Sequence, residues 1–369
     1  MASPRAEKFL DMLALQRLRL APTMDLTIYR FDQLQMNALG DEPAASSARE
    51  AGRARVAQPR IGVIYNPRSH RNRGQDLDCA AGANITVAQP AKREDIADEL
   101  ADFARQGIDY LIINGGDGTV RDVLTMGQGV FGSNWPALAI LPKGKTNALN
   151  VDLGAPAGWN LADAIAAYGN GRRIVRRPLE VVREGSGEPP MIGFIFGAGG
   201  FTLGVETGQD AHKLGFFNSL AVGVSGAWGL AQALFGSDEN KWRRGTGMVL
   251  EYLPSHKPMP RSRHGNPLRR AFLLSSTLRK LPMGIQLFGA ERDGLKLTLL
   301  DKPLRRIIVS APAILLGWRP SWLGEAGFHQ LDAEAFAIDI DEAVILDGEA
   351  FPPGRYVVGQ GPELTFVTP

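Results

Sequence analysis

The chain of 369 residues has one cysteine, Cys79, which excludes a disulfide within the chain and any multi-cysteine zinc site. Its five histidines show no HExxH or related spacing, which argues against a histidine-built metal centre. An excess of charge of one sign is also missing. Forty-one Lys and Arg against 39 Asp and Glu leave +2, too little to make nucleic acid the main partner. What the sequence has in plenty is glycine: 43 residues, grouped in short runs that point to loops where backbone approaches a ligand.

At roughly 150 residues per domain the length predicts two domains. Charges interrupt the apolar residues of the first twenty positions, so no signal peptide is expected there. Phe9, Leu10, Leu13 and Leu20 instead suggest a short amphipathic helix, either packed on the body or resting on a membrane surface. Residues 38–58 have a linker composition, which makes residues 1–58 an extension. The stretch from Leu214 to Ser237 is uncharged and long enough to span a bilayer. Five glycines and several hydrogen-bonding side chains make it a poor span, and buried or interfacial helices are expected instead.

From Arg60 the chain alternates as α/β proteins do. Strands are expected at Ile61–Tyr65, Asp109–Asn114 and Ala137–Leu141, with helices over 92–106 and from 119. Each strand runs into a loop of small or polar residues, the edge where open α/β sheets bind ligands. After about residue 174 the period becomes two. Strands are expected at Leu179–Arg183, Met191–Phe196, Met248–Leu253, Ala271–Ser276, Gly284–Phe288, Leu295–Leu300, Arg306–Ser310, Ala335–Ile340, Ala343–Leu346 and Tyr356–Val358. The reading is an α/β domain over 59–174 and a mainly antiparallel β domain over 175–369, with 214–237 as a helical insertion.

Three loops carry the chemistry. Asn114-Gly115-Gly116-Asp117-Gly118-Thr119 ends one strand, and its glycine N–H groups at a helix start suit phosphate oxygens. Asp117 among those donors suggests a cation or a substrate hydroxyl; tight strand–helix packing is the plain alternative. Asn66-Pro67-Arg68-Ser69, followed by Arg73-Gly74, ends the preceding strand, and Pro142-Lys143-Gly144-Lys145-Thr146-Asn147 ends the next.

These blocks, in this order, resemble the catalytic domain of the diacylglycerol kinase family, which includes bacterial lipid kinases, sphingosine kinases and ceramide kinases. Gly115 to Thr119 is similar to its nucleotide signature, Asn66-Pro67 with Ser69 to its first block, and Pro142 to Asn147 to its P-x-G-[TS]-x-N segment. Gly197 to Phe201 resembles a later glycine-rich strand end, and Asp347-Gly348-Glu349 its late acidic triplet. The resemblance covers about residues 60–369. Lys145 stands where threonine is usual, with Thr146 one place later, and Ala148 where bacterial members often have aspartate. No acid follows Gly200-Phe201 before Glu206, which disfavours a free long-chain base and leaves diacylglycerol or ceramide.

The resemblance implies a Rossmann-like nucleotide-binding domain, a β-sandwich lipid domain, ATP and magnesium. It also implies transfer of the γ-phosphoryl group to a lipid hydroxyl. Asp347 is the expected base, with Asp117 as runner-up; Asp117, Asp347 and Glu349 are the expected metal ligands. Asn66 to Ser69, Gly115 to Thr119, Gly144 to Asn147 and Lys213 are expected around the nucleotide, in a cleft between the domains. An Asp-Gly hairpin turn is the plain alternative for Asp347-Gly348.

Basic residues gather at Arg172, Arg173, Arg176 and Arg177, at Lys241 to Arg244, and at Arg261, Arg263, Arg269 and Arg270, with Trp242, Trp318 and Trp322 nearby. They suggest peripheral contact with anionic lipid on the inner face of a membrane, from a cytoplasmic protein. The competing readings are a soluble-metabolite kinase, since NAD kinases and phosphofructokinases share Gly-Gly-Asp-Gly, and an inactive lipid-binding homologue.

Overall fold

The computed structural model describes residues 58–69, 72, 77–80, 82, 84–205 and 240–369. The helix expected in the first twenty positions, the linker up to residue 57, Arg73-Gly74, Glu206, Lys213 and the uncharged 214–237 stretch lie outside the described residues. So do the side chains of Lys241 and Trp242.

Strands β1 (Ile61–Tyr65), β3 (Tyr110–Gly115) and β4 (Ala137–Pro142) are buried almost throughout, as strands covered on both faces must be. Alternate residues serve opposite cores. Ile64, Leu111, Ile113, Leu138 and Ile140 pack against α1 (Asp95–Gln106) and α2 (Asp117–Phe131). Val63, Tyr110, Ile112, Ala139 and Leu141 pack with Leu161, Ala164 and Ala167 of α4 (Leu161–Asn170), which follows the short α3 (Ala148–Leu153).

The sheet runs β2-β1-β3-β4-β18-β5, with β2 at Ile85–Ala88, β5 at Arg172–Arg176 and β18 at Leu364–Thr368. Strands β1 to β4 are parallel, and the order reverses between β1 and β3. That switch point opens a crevice at the carboxyl ends of the two strands.

A split of the chain at 174/175 does not match this topology. The last strand, β18, returns to the first sheet, where it pairs antiparallel with β5 and parallel with β4 through Phe366 and Leu138. An apolar Leu-x-Phe-Val run at the far end of the chain gives no local sign of which sheet it joins. The first unit is therefore closed by residues 364–368.

The intervening chain forms two six-stranded sheets. One runs β10-β9-β14-β17-β6-β7, from Arg269–Arg270, Thr246–Leu253, Ala335–Ile340, Gly354–Gln360, Leu179–Arg183 and Met191–Gly193. The other runs β13-β12-β11-β8-β15-β16, from Phe328–Ala333, Leu295–Leu300, Phe272–Ser276, Ile195–Gly199, Val344–Leu346 and Glu349–Phe351. All their pairings are antiparallel. Phe196, Leu273 and Leu297 of one sheet meet Val181, Leu250, Phe336 and Tyr356 of the other in one core.

Three strand expectations are corrected. Met191–Phe196 breaks at Phe194, and its halves join different sheets. Arg306–Ser310 lies in α6 (Arg305–Leu315), which follows the short α5 (Lys241–Arg244). Its β-branched run reads locally as a strand, but Ile307, Ile308 and Ile314 recur at helical spacing and are buried together. Gly284–Phe288 follows a 3₁₀ turn at Pro282–Gly284 and pairs with no strand, because Gln286 N–H donates instead to Leu315 at the end of α6 (2.8 Å).

If β18 is an integral strand, Phe366→Ala, which empties a fully buried site, should destabilise the protein by about 3–5 kcal/mol in denaturant unfolding. A loss under about 1 kcal/mol, the range of conservative core swaps, would show that the first sheet stands without it.

Candidate functional site

The three loops after β1, β3 and β4 meet. Asn66 Nδ2 donates to Thr119 Oγ1 (2.8 Å), and Gly116 N–H donates to Ser69 Oγ (3.2 Å), so the first loop is fastened across the start of α2. Pro67 and Arg68 stand at its exposed turn, where Arg68 N–H donates to Asn66 Oδ1 (2.9 Å). Asp117 holds the third loop: its carboxylate accepts N–H bonds from Asn147 (2.9 Å) and Ala148 (3.0 Å). Asn147, in the left-handed region at φ 50°, bonds both ways with Gly144 across 2.8 and 2.9 Å.

The glycines are needed by contact. A Cβ on Gly115 would lie 2.5 Å from the Thr119 side chain, and one on Gly116 would lie 3.0 Å from Gly144 Cα. Gly118 faces open space, which leaves its backbone free to meet a ligand at the α2 N-terminus. Lys145 and Thr146 are exposed beside it.

Asp347 arrives from the other unit. Leu346 pairs with Glu349, so Asp347-Gly348 is a two-residue hairpin turn with φ of 47° and 84°. The plain reading of the dipeptide as a turn is realised, and that turn directs the Asp347 carboxylate onto the backbone N–H groups of Phe194 (3.0 and 3.1 Å) and Ile195 (2.9 Å). Burial pushes this carboxyl up to about 7. The Ile195 and Phe194 N–H bonds and the Arg121 charge act against that rise, and Asp117 adds to it.

Glu349 does not join the pair. Arg93 holds both its oxygens (2.9 and 3.0 Å), and Arg121 also binds it. Arg93 and Arg121 bind Asp122 as well (2.6 and 2.8 Å), and Arg121 donates to Leu346 C=O. The metal-ligand role read for Glu349 is therefore corrected: its carboxylate is engaged by two guanidinium groups. Arg93, Arg121 and Asp122 were missed from the sequence, where the only sign was a charged pair inside an otherwise apolar helix.

No group of three or more His, Cys, Asp or Glu that could hold a metal occurs among the described residues. Magnesium, which keeps most of its water and relies on substrate phosphates, asks for only one or two carboxylates. Asp117 and Asp347 fit that demand.

Both acids line a cavity of about 800 Å³. Thr146, Ala148 and Gly200 stand nearby, and the rest of the wall is almost wholly apolar, including Phe201, Phe272, Leu274, Ile307 and Phe328. Ile307, Ile308, Ala311, Ile314 and Leu315 bring α6 against it.

Several of the expected basic residues are engaged within the protein. Arg176 binds Asp152 (2.6 Å), Arg177 binds Glu363 (2.8 Å), Arg173 stacks on Tyr168, and Arg270 is buried against Asp301. Among the described residues no helix is long and apolar enough to cross a membrane.

Residues 60–178, about a third of the chain, match the diacylglycerol kinase catalytic domain family. It is 39% identical over 90 residues to a probable lipid kinase YegS-like from Citrobacter koseri, and 33% identical over 89 residues to a probable lipid kinase YegS from Escherichia coli. Each match covers 24% of this chain and 30% of the relative's length. Crystal structures of a diacylglycerol kinase and a putative diacylglycerol kinase, both from Bacillus anthracis, share the fold. Their TM-scores are 0.53 and 0.56 at 16% and 17% identity, and each comparison covers 84% of this chain and 97% of theirs.

Arg121 is 4% exposed, and its removal would leave Asp122 and Glu349 short of a partner inside the structure. Arg121→Met should cost about 3–5 kcal/mol in denaturant unfolding, the usual result of breaking a buried pair from one side. A neutral result would mean that Arg93 alone neutralises both acids.

Proposed function

We propose that the chain is an ATP-dependent lipid kinase that phosphorylates a hydroxyl of a diacylglycerol or ceramide-type membrane lipid. The observation that carries this reading is the apolar cavity with Asp117 and Asp347 in its wall. A lipid chain in the cavity would place a headgroup hydroxyl at the two acids, beside the α2 N-terminus. A soluble metabolite would leave this cavity unfilled, which disfavours the NAD kinase or phosphofructokinase type. The intact meeting of the three loops disfavours an inactive homologue, despite Lys145.

In the step itself, the lipid hydroxyl oxygen bonds to the γ-phosphorus and the bond from that phosphorus to the bridging oxygen breaks, leaving ADP. The hydroxyl proton passes to Asp347. Free N–H groups at the start of α2 face the phosphate oxygens and offset their charge. Asn66, Ser69 and Thr119 hold that helix end still, and Gly144 with Asn147 forms the opposite wall. Asp117 and Asp347 would hold magnesium, whose charge would neutralise the phosphates. The protein would work at the cytoplasmic face of a membrane, in peripheral contact with it.

Labelled ATP, thin-layer separation and purified diacylglycerol, ceramide, sphingosine and monoacylglycerol, run side by side, test this reading. Label should appear in diacylglycerol or ceramide; label in none of the lipids would overturn it.

Asp347→Asn keeps the shape but accepts a proton poorly, so kcat should fall at least ~10²-fold while nucleotide affinity changes little. The base acts deprotonated and its pKa is raised to about 7. In the wild type, kcat should therefore rise with pH along an acid limb, and that limb should move to lower pH as magnesium is raised, since a cation at Asp347 favours its ionised form. Near-normal kcat in Asp347→Asn, with the acid limb retained, would move the base role to Asp117.

A further inference from the structure

We infer that α6, its C-terminal turn and the 279–286 loop form a docking face for an anionic lipid bilayer, which hands the lipid directly to the cavity. The inference rests on the lipid-substrate reading above and names the surface through which that substrate enters.

Helix α6 is apolar on both sides. Ile307, Ile308 and Ile314 point inward, while Val309, Pro312, Ala313 and Leu316 recur on the outward side and are all exposed. Val309 is 73% exposed and Leu316 78%, where a surface helix ordinarily carries polar groups. Trp318, 49% exposed, continues this side past the helix end. Met283, 89% exposed, also lines the cavity, so the outer apolar surface is continuous with the inner one.

Two contacts make this a single face. Gln286 N–H donates to Leu315 C=O (2.8 Å), and the Arg319 guanidinium binds the carbonyls of Ile314, Trp318 and Gln286.

Charge selects the occupant. Residues 278–290 and 302–324 contain Arg279, Lys280, Lys302, Arg305, Arg306 and Arg319 but no Asp or Glu. Arg306 stacks on Trp322 at 3.4 Å, and Trp318 meets that ring edge-on at 6.0 Å. Tryptophan and arginine beside exposed aliphatic groups suit the depth of lipid headgroups, and a mainly basic rim, on which Asp293 pairs with Arg279 (3.7 Å), suits anionic ones. Of the basic residues read from the sequence, Arg176, Arg177 and Arg270 are paired with carboxylates.

The test uses the full chain and vesicles of phosphatidylcholine with and without phosphatidylglycerol. Wild type should float with the anionic vesicles and be released by salt. The combined variant Val309→Asn, Leu316→Gln, Trp318→Ser should bind them at least ~10-fold more weakly. It should nonetheless turn over a short-chain diacylglycerol, supplied as monomer, at the wild-type rate, which shows that it folds. A fluorophore at Leu316→Cys in a Cys79→Ser background should shift to the blue on the anionic vesicles.

Equal vesicle affinity in variant and wild type, or no wild-type binding, would overturn the docking face. An unshifted fluorophore would mean that another part of this chain, such as residues 206–239, covers it, and would overturn it equally. If wild type phosphorylates no lipid at all, the kinase reading fails. The vesicle comparison, with thermal melting as the check on folding, still decides the docking face.

Discussion

Arg121 is the charge on which the two units depend. It is almost fully buried on α2, and burial alone would drive its pKa down; Asp122 and Glu349 outweigh that and hold it up. The same guanidinium reaches Leu346 C=O, so it grips the hairpin of β15 and β16 on both sides of Asp347. Arg93, just before α1, binds the same two acids. Two arginines and two carboxylates thus close a network across the boundary between the parallel sheet and the sandwich. A buried ion pair adds little net stability relative to apolar packing, but it fixes geometry, because any slippage leaves a charge without a partner. Here the geometry that is fixed is the approach of Asp347 to Asp117.

The apolar packing at this boundary agrees with the network. Ile192, Phe194 and Leu278 of the sandwich enter the same core as α1 and α2, and Phe194 meets Phe366 edge-on at 6.5 Å. Phe194 is also where the run from Met191 breaks between two sheets. That break turns the Phe194 and Ile195 N–H groups away from strand pairing and toward the Asp347 carboxylate. An irregular point in the sheet therefore supplies two donors to a half-buried acid, and its neighbouring side chain seals the boundary.

The legible parts of this site were those written in adjacent residues. Asn66-Pro67, Gly115-Gly116 and Pro142-Lys143-Gly144 mark strand ends because each imposes a backbone constraint within a few positions. Asp347-Gly348 was legible as a turn for the same reason. The network was not: Arg93 and Glu349 are 256 residues apart, and neither stands in a pattern of its own. Nor was β18, whose five residues have the composition of a strand but carry no mark of a partner. Helix α6 misled because Ile307-Ile308-Val309 favours a strand locally, while the cavity it covers rewards a helix. Glu349 shows the limit of motif reading most clearly. It stands in a triplet resembling an acidic site, yet two arginines from another part of the chain decide what its carboxylate does.

Asp117 and Asp347 are held by the same means. Each carboxylate accepts two backbone N–H groups from a neighbouring strand end or loop, Asp117 from Asn147 and Ala148, Asp347 from Phe194 and Ile195. Such bonds favour the ionised form. For Asp347 burial is the larger effect, and its carboxyl rises to about 7 despite the donors and Arg121. The mutual repulsion of the two acids works the same way, since Asp117 adds to that rise. The Asp347 carboxyl, near neutrality, thus stands beside an acid tied into the loops of the crevice. Relaxing the Arg121 network would change the distance between them, and with it the rise that Asp117 adds to the Asp347 carboxyl and the fall that Arg121 sets against it.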